Sequence, residues 1–483
     1  MTAYDYDIGV IGGGAAGLTV TAGSARLGAK TLLIEKESAL GGDCLHFGCV
    51  PSKTLIRTAQ VYQQLKHLEQ FGLPAVDVPK VDFKAIARRI QEVIQRIQAH
   101  DSVERFCSLG ARVDFGGPEF VDEHALRLGG QTVSAKTWVL AMGSSPAAPK
   151  IPGLDTVSYL TNKDIFSLDE LPGSMVVLGA GPIACEMAQA FARLGTDVQV
   201  VQRSGQILSK EDEDLAEILQ SRLEAEGVRF HLQAGVTDVR NRGDRKEVVF
   251  TNGDGQEQTV QAEQLLVALG REANVSDLRL ENTGVEFSRK GITVDARMRT
   301  SQKHIYAAGD VTGMNQFTHA AGYEGGIVVS NAVFHLPRKA DDTLMPWCTY
   351  TEPELASIGL NEKRAAASGL ETTVFREYFS GNDRSLAENE DLGQVKLLLD
   401  SRDTPVGVQI LGPQAGELLS EWVAALNGGM KLTSLAGAVH PYPTLAEINK
   451  RVVGKVLEPK IFSETMQKAL KFFFNFKGRA CNV

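Results

Sequence analysis

Two segments of the chain repeat the same pattern of strand, glycine-rich turn, helix and strand. The first strand runs directly into Gly12-Gly13-Gly14-Ala15-Ala16-Gly17, and the strand after the helix ends at Glu35. The second copy runs from Leu178 into Gly179-Ala180-Gly181-Pro182-Ile183-Ala184. Such glycines permit a tight turn and let the backbone approach a pyrophosphate at the helix N-terminus. One Gly-rich turn is weak evidence, but two in this context predict two dinucleotide-binding βαβ units.

The residue that ends the second strand of each unit bears on the choice of nucleotide. Glu35 can accept hydrogen bonds from a ribose. The equivalent position of the second unit is the uncharged Gln202, and Arg203 follows it. Loss of the carboxylate removes repulsion of a 2′-phosphate, and a guanidinium can pair with that phosphate. The second unit is therefore predicted to bind NADP, with NAD as the alternative if Arg203 is only a solvated surface charge.

Two cysteines follow the first unit closely, in the segment Gly41-Gly42-Asp43-Cys44-Leu45-His46-Phe47-Gly48-Cys49-Val50-Pro51-Ser52-Lys53. Positions five residues apart point in different directions on a regular helix, so a bridge between them needs the distorted turn that Gly48 permits. A helix start at Cys49 and the nearby Lys53 would both favour a thiolate. From the spacing alone, two buried structural cysteines are the simpler interpretation.

Length, charge and cysteine content exclude several classes of protein. A chain of 483 residues suits about three or four domains. Its 50 basic and 59 acidic residues, with a net charge of −9, provide no basic surface for nucleic acid, so small-molecule partners are expected. Six cysteines are too few for a disulfide scaffold, and neither a signal sequence nor an apolar run long enough to span a membrane is recognised. We therefore expect a cytoplasmic protein.

Periodicity gives a coarse reading of the rest of the chain. Helices are predicted over 51–70 and 83–108, the second from an apolar stripe at three- or four-residue spacing. The Gly- and Pro-bearing stretch 143–153 is interpreted as a linker, and another boundary is expected near Leu336-Pro337. Strands over 395–399 and 406–410, with helices over 416–427 and 445–456, predict a C-terminal α+β domain.

The order of the motifs along nearly the whole chain resembles that of the class I pyridine nucleotide-disulfide oxidoreductases. This family includes dihydrolipoyl dehydrogenase, glutathione reductase and mercuric reductase. Besides the two glycine motifs and residues 41–53, the matching segments are Ala141-Met142-Gly143-Ser144, Glu186, Ala268-Leu269-Gly270-Arg271, Ile305-Tyr306-Ala307-Ala308-Gly309-Asp310 and Tyr350-Thr351-Glu352-Pro353-Glu354.

The resemblance implies an α/β fold with two Rossmann-like nucleotide-binding domains and a C-terminal α+β dimerisation domain. The implied boundaries are 1–152 for the FAD-binding domain, 153–275 for the NAD(P)-binding domain, 276–344 for a central segment that returns to the FAD domain, and 345–483 for the interface domain. The implied assembly is a homodimer in which the partner subunit supplies the far wall of the site.

The resemblance also implies roles for single residues. A hydride would move from the nicotinamide to FAD, which would reduce the Cys44–Cys49 disulfide, and the dithiol would pass electrons to an acceptor. By family likeness, Cys49 is the flavin-proximal thiol and Cys44 the interchange thiol. The resemblance further implies that Lys53 and Glu186 form an ion pair beside the flavin and that Asp310 binds the ribityl chain of FAD. It also implies that His319 and Ala320 lie near the pyrimidine end of the flavin. Gly143 and Gly270 would contribute to cofactor binding.

The C-terminal motif departs from the family. Disulfide reductases end with His-Pro-Thr-x-x-Glu, in which the histidine moves protons to and from the interchange thiol. This chain reads His440-Pro441-Tyr442-Pro443-Thr444-Leu445-Ala446-Glu447, which places Tyr442 at the base position and His440 two residues earlier. A phenol, which titrates near pH ~10, is a poor base but a reasonable metal ligand. Tyrosine here resembles mercuric reductase; alternatively, His440 serves as the base, although prolines flank Tyr442.

The tail departs from mercuric reductase as well, because it has the single Cys481 instead of a vicinal cysteine pair. Cys481 is either a lone metal ligand or incidental, and no residue is assigned to a resident metal. The tail also mixes basic and aromatic residues, which predicts either an amphipathic membrane contact or, preferably, packing at the dimer interface. These residues are Lys468, Lys471, Lys477, Arg479, Phe472, Phe473, Phe474 and Phe476.

Three functions are compatible with the sequence. The first is NAD(P)H-dependent reduction of a metal ion or another soft electrophile. The second is that of a dihydrolipoyl dehydrogenase or low-molecular-weight disulfide reductase that uses His440. The third is a non-enzymatic flavoprotein that senses redox state. Tyr442 favours the first over the second, and the complete set of nucleotide motifs and cysteines argues against the third.

Overall fold

The computed structural model of the protein describes residues 4–478 and 480–481. The chain forms two compact units. The first consists of the residues up to 68 together with 74–207 and 223–342, and the second of 69–73, 208–222 and the residues from 343 onward. The domain boundaries expected at residues 152, 275 and 344 stay predictions.

The described chain contains both strands and α-helices. The strands are β1 Tyr6–Ile11, β2 Thr31–Glu35, β3 Ala111–Phe115, β4 Glu119–Phe120, β5 Ala125–Leu128, β6 Gln131–Leu140, β7 Ser144–Pro146, β8 Ser174–Leu178, β9 Asp197–Val201, β10 Arg229–His231, β11 Gly235–Arg242, β12 Arg245–Thr251, β13 Glu257–Ala262, β14 Gln264–Val267, β15 Arg271–Ala273, β16 Phe287–Ser288, β17 Gly291–Ile292, β18 Ile305–Ala307, β19 Trp347–Thr349, β20 Glu354–Gly359, β21 Thr373–Tyr378, β22 Gln394–Leu399 and β23 Pro405–Gly412. The helices are α1 Ala15–Arg26, α2 Gly42–His46, α3 Cys49–Lys66, α4 Phe83–Gln98, α5 Val103–Ser108, α6 Pro182–Leu194, α7 Glu213–Ala225, α8 Thr318–Ala332, α9 Glu362–Ala367, α10 Asp383–Glu388, α11 Ala415–Asn427, α12 Leu432–Gly437, α13 Glu447–Ile461 and α14 Glu464–Phe474.

The first glycine motif lies at the end of the central strand of a seven-stranded sheet. Strands β3, β2, β1 and β6 are neighbours in that order, β18 pairs with β6, and all of these pairings are parallel. Val10 of β1 lies between Leu33 of β2 and Val139 of β6, and all three side chains are fully buried. A parallel sheet covered on both faces explains why these strands read as continuous apolar runs. The first predicted βαβ unit is confirmed.

The second glycine motif lies in an equivalent position of a second parallel sheet, with the strand order β10-β9-β8-β14. Strand β8 ends at Leu178, and the turn at Gly179 leads into α6. A three-stranded antiparallel sheet, β11-β12-β13, belongs to the same part of the chain. The repeat seen in the sequence is therefore a repeat of architecture, and the α/β fold class is confirmed.

Three local predictions for residues 51–153 differ from the structure. Helix α3 begins at Cys49 and ends at Lys66, instead of covering 51–70. The single helix expected over 83–108 is wrong, because Ser102 leaves the helical conformation and its hydroxyl accepts a hydrogen bond from the Arg105 amide, which starts α5. The stretch interpreted as a linker contains β7, which pairs with β15 in antiparallel fashion.

The second unit is built on a five-stranded antiparallel sheet in the order β19-β20-β23-β22-β21. Its core includes the fully buried side chains of Phe379 and Trp422, with apolar residues from α11 and α13. The strands expected over 395–399 and 406–410 and the helix expected over 416–427 are confirmed. The next helix begins at Glu447 and not at 445, and it continues to Ile461.

The tail forms helix α14, which begins after Ser463, whose hydroxyl caps the helix by accepting from the Met466 amide. Phe472, Phe473 and Phe474 are exposed, as is Cys481. Arg479 lies outside the described residues. Within the described part of the chain, no helix combines the length and apolar character needed to cross a membrane.

A buried cation in β22 binds the acidic residues at the start of α7 to the sheet of the second unit. The Lys396 side chain has no exposed surface, and its Nζ lies 2.8 Å from Asp212 Oδ2, 2.8 Å from Asp214 Oδ1 and 2.5 Å from Glu362 Oε1. A buried charge is tolerated only when it is paired, so these contacts form an interdependent group.

Replacement of Lys396 by Met should therefore lower the stability of the second unit. Removal of one partner from a buried ion pair costs about 3–5 kcal/mol, because the remaining charges are left uncompensated. The measurement is the urea or thermal unfolding midpoint, with the exposed Lys431→Met as the matched control. An unchanged midpoint in Lys396→Met would contradict this account.

Candidate functional site

The first glycine motif forms a cradle that suits a dinucleotide pyrophosphate. Gly12 has a φ of +104°, and a Cβ there would lie 2.3 Å from the Ala141 carbonyl oxygen. A Cβ on Gly17 would lie 1.8 Å from the Gly12 oxygen, so only glycine lets α1 pack this closely on β1. Gly14 precedes the helix without a side-chain cap and faces open space, with no atom nearer than 3.9 Å to an added Cβ. The free amides of the first turn can therefore hold phosphate oxygens.

Glu35 is held at the end of β2 by two backbone amides. Its side chain is buried, Oε2 accepts a 2.6 Å hydrogen bond from the Gly13 amide, and Oε1 accepts a 2.8 Å bond from the Glu37 amide. A carboxylate oxygen has two lone pairs, so each oxygen retains one acceptor position. Glu35 can therefore still accept further hydrogen bonds, and its binding to a ribose stays a prediction.

A chain of polar contacts joins four of the sequence motifs. Ser144 Oγ donates a 2.6 Å hydrogen bond to Asp310 Oδ2, and Arg271 Nε donates a 2.7 Å bond to the same Ser144 oxygen. The Arg271 guanidinium also lies 3.1 Å from Asp43 Oδ2, and Asn162 donates to the Asp43 carboxylate. Burial raises the pKa of Asp310. Sequence reasoning missed the roles of Asp43, Ser144 and Arg271, although all three lie inside the quoted motifs.

Two further glycines leave open space beside this chain of contacts. Gly143 has a φ of +68° and Gly270 one of +113°, and a Cβ at either position would meet no atom within 4 Å. Both backbones can therefore approach a ligand closely. Their assignment to cofactor binding stays a prediction.

Helix α8 contributes a second carboxylate near Asp310. Glu324 is buried, and its Oε2 accepts a 2.6 Å hydrogen bond from the Gly309 amide. Burial raises the pKa of Glu324 to about 7. At the start of the same helix, His319 is exposed and Ala320 is fully buried. Glu324 carries no motif signature, so it could not be singled out from the sequence.

The two cysteines lie on consecutive helices that break at Gly48. Helix α2 carries Cys44 and ends at His46, and α3 begins with Cys49. A Cβ on Gly48 would lie 3.0 Å from the Asp43 carbonyl oxygen and 3.1 Å from the Cys44 Cα. Glycine at this position therefore permits the tight turn that brings the thiols together, and it leaves Cys49 at the positive end of an 18-residue helix.

The two thiols share a hydrogen bond that makes them chemically unequal. The bond from Cys44, together with the Thr318 hydroxyl and the Lys53 charge, outweighs burial and lowers the pKa of Cys49 to about 6. The same bond and burial raise the pKa of Cys44. The reduced pair therefore holds one proton on Cys44 and a thiolate at Cys49, whose Sγ lies 3.4 Å from Thr318 Oγ1.

Lys53 lies one turn after Cys49 on α3 and pairs with a carboxylate from α6. Its Nζ is 2.9 Å from Glu186 Oε2, and the Glu186 side chain is buried. The pair is in contact as the family resemblance implied, although its role beside a flavin stays a prediction. Its position fixes a cation close to the Cys49 thiolate.

The second glycine motif has the same open helix N-terminus as the first. Gly179 has a φ of +98° and an added Cβ would lie 2.6 Å from the Ala268 oxygen, whereas one on Gly181 would meet no atom within 4 Å. At the end of β9, Gln202 Nε2 donates to Ser204 Oγ at 2.6 Å. Arg203 is exposed. The open helix N-terminus can accommodate a dinucleotide, and the preference of Gln202 and Arg203 for a phosphorylated ribose stays a prediction.

The C-terminal candidates in the second unit have separate carboxylate partners. The Tyr442 hydroxyl donates a 2.9 Å hydrogen bond to Asp383 Oδ2, and this bond raises the pKa of Tyr442, whose side chain is 70% exposed. His440 Nε2 lies 2.8 Å from Glu421 Oε1. Two side-chain atoms, Glu447 Oε2 and His440 Nδ1, are buried and have no hydrogen-bond partner among the described residues. Tyr442 and His440 thus contact Asp383 and Glu421, for which the sequence had no signal.

The thiol arrangement predicts how the reactivity of Cys49 in the reduced protein depends on pH. A Cys49 pKa near 6 means that the thiolate is present above about pH 6 and is lost below it. Alkylation of Cys49 by iodoacetamide, followed by peptide mass spectrometry, should therefore show a midpoint near pH 6. Cys44→Ala should move this midpoint upward, because it removes the largest stabilising hydrogen bond; an unmoved midpoint would contradict the shared proton.

Comparisons with known proteins place the chain in a broad set of relatives. The sequence profile described as "Pyridine nucleotide-disulphide oxidoreductase" matches residues 6–325, and the profile of the dimerisation domain of the same name matches residues 345–453. A mercuric reductase from Staphylococcus aureus is 32% identical over 446 residues, which cover 92% of this chain and 81% of that protein. A dihydrolipoyl dehydrogenase from Bacillus subtilis (strain 168) is 35% identical over 448 residues, which cover 91% of this chain and 96% of that protein.

Among solved structures, the Cu(II) complex of the HOCl-induced flavoprotein disulfide reductase RclA from Escherichia coli is similar to this chain. The TM-score is 0.84 at 26% sequence identity, and the match covers 94% of this chain and 100% of that chain.

Proposed function

Because the chain belongs to the pyridine nucleotide-disulphide oxidoreductases, an FAD-dependent family of enzymes, we propose that it carries electrons from NADPH to a soft metal ion or a related electrophile. The Cys44–Cys49 pair is the proposed relay. The observation that carries the choice of acceptor is Tyr442, which occupies the motif position of the family's proton-transferring histidine. The similarity to mercuric reductases supports the same choice.

The cofactor sites follow from the glycine motifs and the carboxylates. Bound FAD would supply two-electron transfer between a nicotinamide and a disulfide. Gly14 and the start of α1 would bind its pyrophosphate, Glu35 its ribose and Asp310 its ribityl chain. Gly181 and Arg203 would bind the second nucleotide, with NADPH preferred over NADH.

The unequal thiols favour a metal ion over a disulfide as the acceptor. Exchange with a disulfide needs Cys44 as a thiolate, so a base must remove the proton that the pair holds there. The phenol of Tyr442 is a poor base, since its hydrogen bond to Asp383 raises its pKa further. A soft cation needs no such base, because it displaces the proton as it binds both sulfurs.

A second candidate function is supported by the contact between His440 and Glu421. A histidine held by a carboxylate at 2.8 Å is a suitable general base. In this alternative the chain is a dihydrolipoyl dehydrogenase or a low-molecular-weight disulfide reductase, as the similarity to dihydrolipoyl dehydrogenases also allows. The family's dimerisation-domain match supports assembly as a homodimer in either case.

Steady-state oxidation of NADPH by the purified FAD-loaded protein should distinguish these functions. We expect turnover with Hg(II), little with lipoamide or glutathione disulfide, and loss of at least about tenfold in Cys44→Ser, because the relay then lacks one sulfur. Cys107→Ser is the matched control, since Cys107 is exposed and outside the pair. Turnover that survives Cys44→Ser would rule out the dithiol relay.

Two variants of the C-terminal motif, measured in the same assay, distinguish the role of Tyr442 from that of His440. Tyr442→Phe should lower turnover with Hg(II), whereas His440→Gln should leave it within about twofold. Rapid turnover of lipoamide that is abolished by His440→Gln would replace the metal-reductase proposal with the second candidate. No turnover with any acceptor would instead support the redox-sensing flavoprotein.

Arg203 provides the test of nucleotide preference. Removal of a guanidinium that binds the 2′-phosphate should raise the KM for NADPH by about tenfold and leave the KM for NADH unchanged. The comparison is Arg203→Ala against Arg127→Ala, which removes another exposed arginine of the first unit. Equal effects on both nucleotides in Arg203→Ala would show that Arg203 is only a surface charge.

A further inference from the structure

Two histidine rings stack on each other in the first unit, beside a glutamate. His124 lies between β4 and β5, and His304 directly precedes β18. The ring centroids are 4.1 Å apart and the ring planes are inclined by 23°. With Glu123, the two residues offer three ligand atoms that all lie within 4.8 Å of one another. Neither the family motifs nor the proposed electron relay uses these residues.

The same buried residue, Trp138, binds the backbones of both histidines through its indole and its main-chain amide. Trp138 of β6 is fully buried, and its indole Nε1 donates a 2.8 Å hydrogen bond to the His124 carbonyl oxygen. The Trp138 amide donates to the His304 carbonyl oxygen at 3.2 Å. The two histidines are 180 residues apart in the sequence, yet hydrogen bonds to one core residue hold both of their backbones. The pair is thus a built feature of the sheet and not a chance meeting of mobile side chains.

Each imidazole is already oriented by a backbone carbonyl. His124 Nδ1 lies 3.0 Å from the Ala135 oxygen, and His304 Nε2 lies 3.1 Å from the Glu123 oxygen. A carbonyl oxygen only accepts hydrogen bonds, so these two nitrogens carry the protons. The neutral rings then keep a lone pair on His124 Nε2 and on His304 Nδ1. Histidines that bind metals are oriented in this way, with the second nitrogen donating to a carbonyl or carboxylate.

We propose that Glu123, His124 and His304 form a binding site for one divalent transition-metal ion that prefers imidazole ligands, such as Zn²⁺. Two neutral imidazoles and one carboxylate are a common ligand set for zinc, and water can complete the coordination. Glu123 is exposed and the histidines are half-buried, so the ion can enter from solvent. Because the rings are stacked with their planes inclined by only 23°, ion binding requires the imidazoles to rotate until both lone pairs point at one ion. The carboxylate of Glu123 would neutralise part of the ion's charge.

Zinc binding to the full-length FAD-loaded protein tests this proposal, with the cysteine pair kept as a disulfide so that its thiols do not bind the probe. Equilibrium dialysis or calorimetry with ZnCl₂ should give one site in the wild type. The double variant His124→Gln/His304→Gln should bind that ion at least about tenfold more weakly. The matched control is His67→Gln/His100→Gln, which removes two exposed histidines elsewhere.

A second measurement guards against misfolding of the double variant. Glu123→Gln leaves both rings in place and should still weaken zinc binding, while FAD absorbance and the unfolding midpoint without zinc match the wild type. Zinc should raise the unfolding midpoint of the wild type and of the control, but not of the double variant. Equal zinc affinity in the wild type and the double variant would overturn the proposal, as would the absence of zinc binding to the wild type.

Discussion

The contacts of the Arg271 guanidinium connect the parts from which the candidate site is assembled. Arg271 donates to Ser144, which in turn donates to Asp310, and it also pairs with Asp43, which is adjacent to Cys44. Four motifs that are far apart in sequence thereby share one polar network. Because Asp310 and Asp43 are partly buried carboxylates, the Arg271 cation that lies near both offsets the charge repulsion between them.

A second feature of the candidate site is the asymmetry of the cysteine pair. The helix start at Cys49, the Thr318 hydroxyl and the Lys53 charge all stabilise negative charge on one sulfur, while the hydrogen bond leaves the proton on Cys44. An acceptor that displaces protons by binding thiolates suits this state. An acceptor that needs a prepositioned base depends instead on the C-terminal motif, where Tyr442 replaces the expected histidine and His440 has a different carboxylate partner.

Much of the fold and the cofactor cradle could be predicted because the relevant signals are local. The turn at Gly12, the helix after it and the strand that ends at Glu35 follow from residues adjacent in sequence. The helix expected over 83–108 was wrong for an equally local reason, since the capping hydroxyl of Ser102 outweighs the apolar stripe that runs towards it. The ion pair of Lys53 with Glu186 was anticipated only through family resemblance, because no local pattern connects the two residues.

The sequence by itself determined two nucleotide-binding units, a reactive cysteine pair and a missing histidine, because glycine conformation, strand hydrophobicity and motif spacing act over short stretches of chain. Only the tertiary structure decided which distant side chains meet. Examples are Arg271 with Asp43, His440 with Glu421, and His124 with His304. Such contacts depend on how strands and helices pack in space, and a polar residue far along the chain gives no periodic signal of the partner that packing will bring to it.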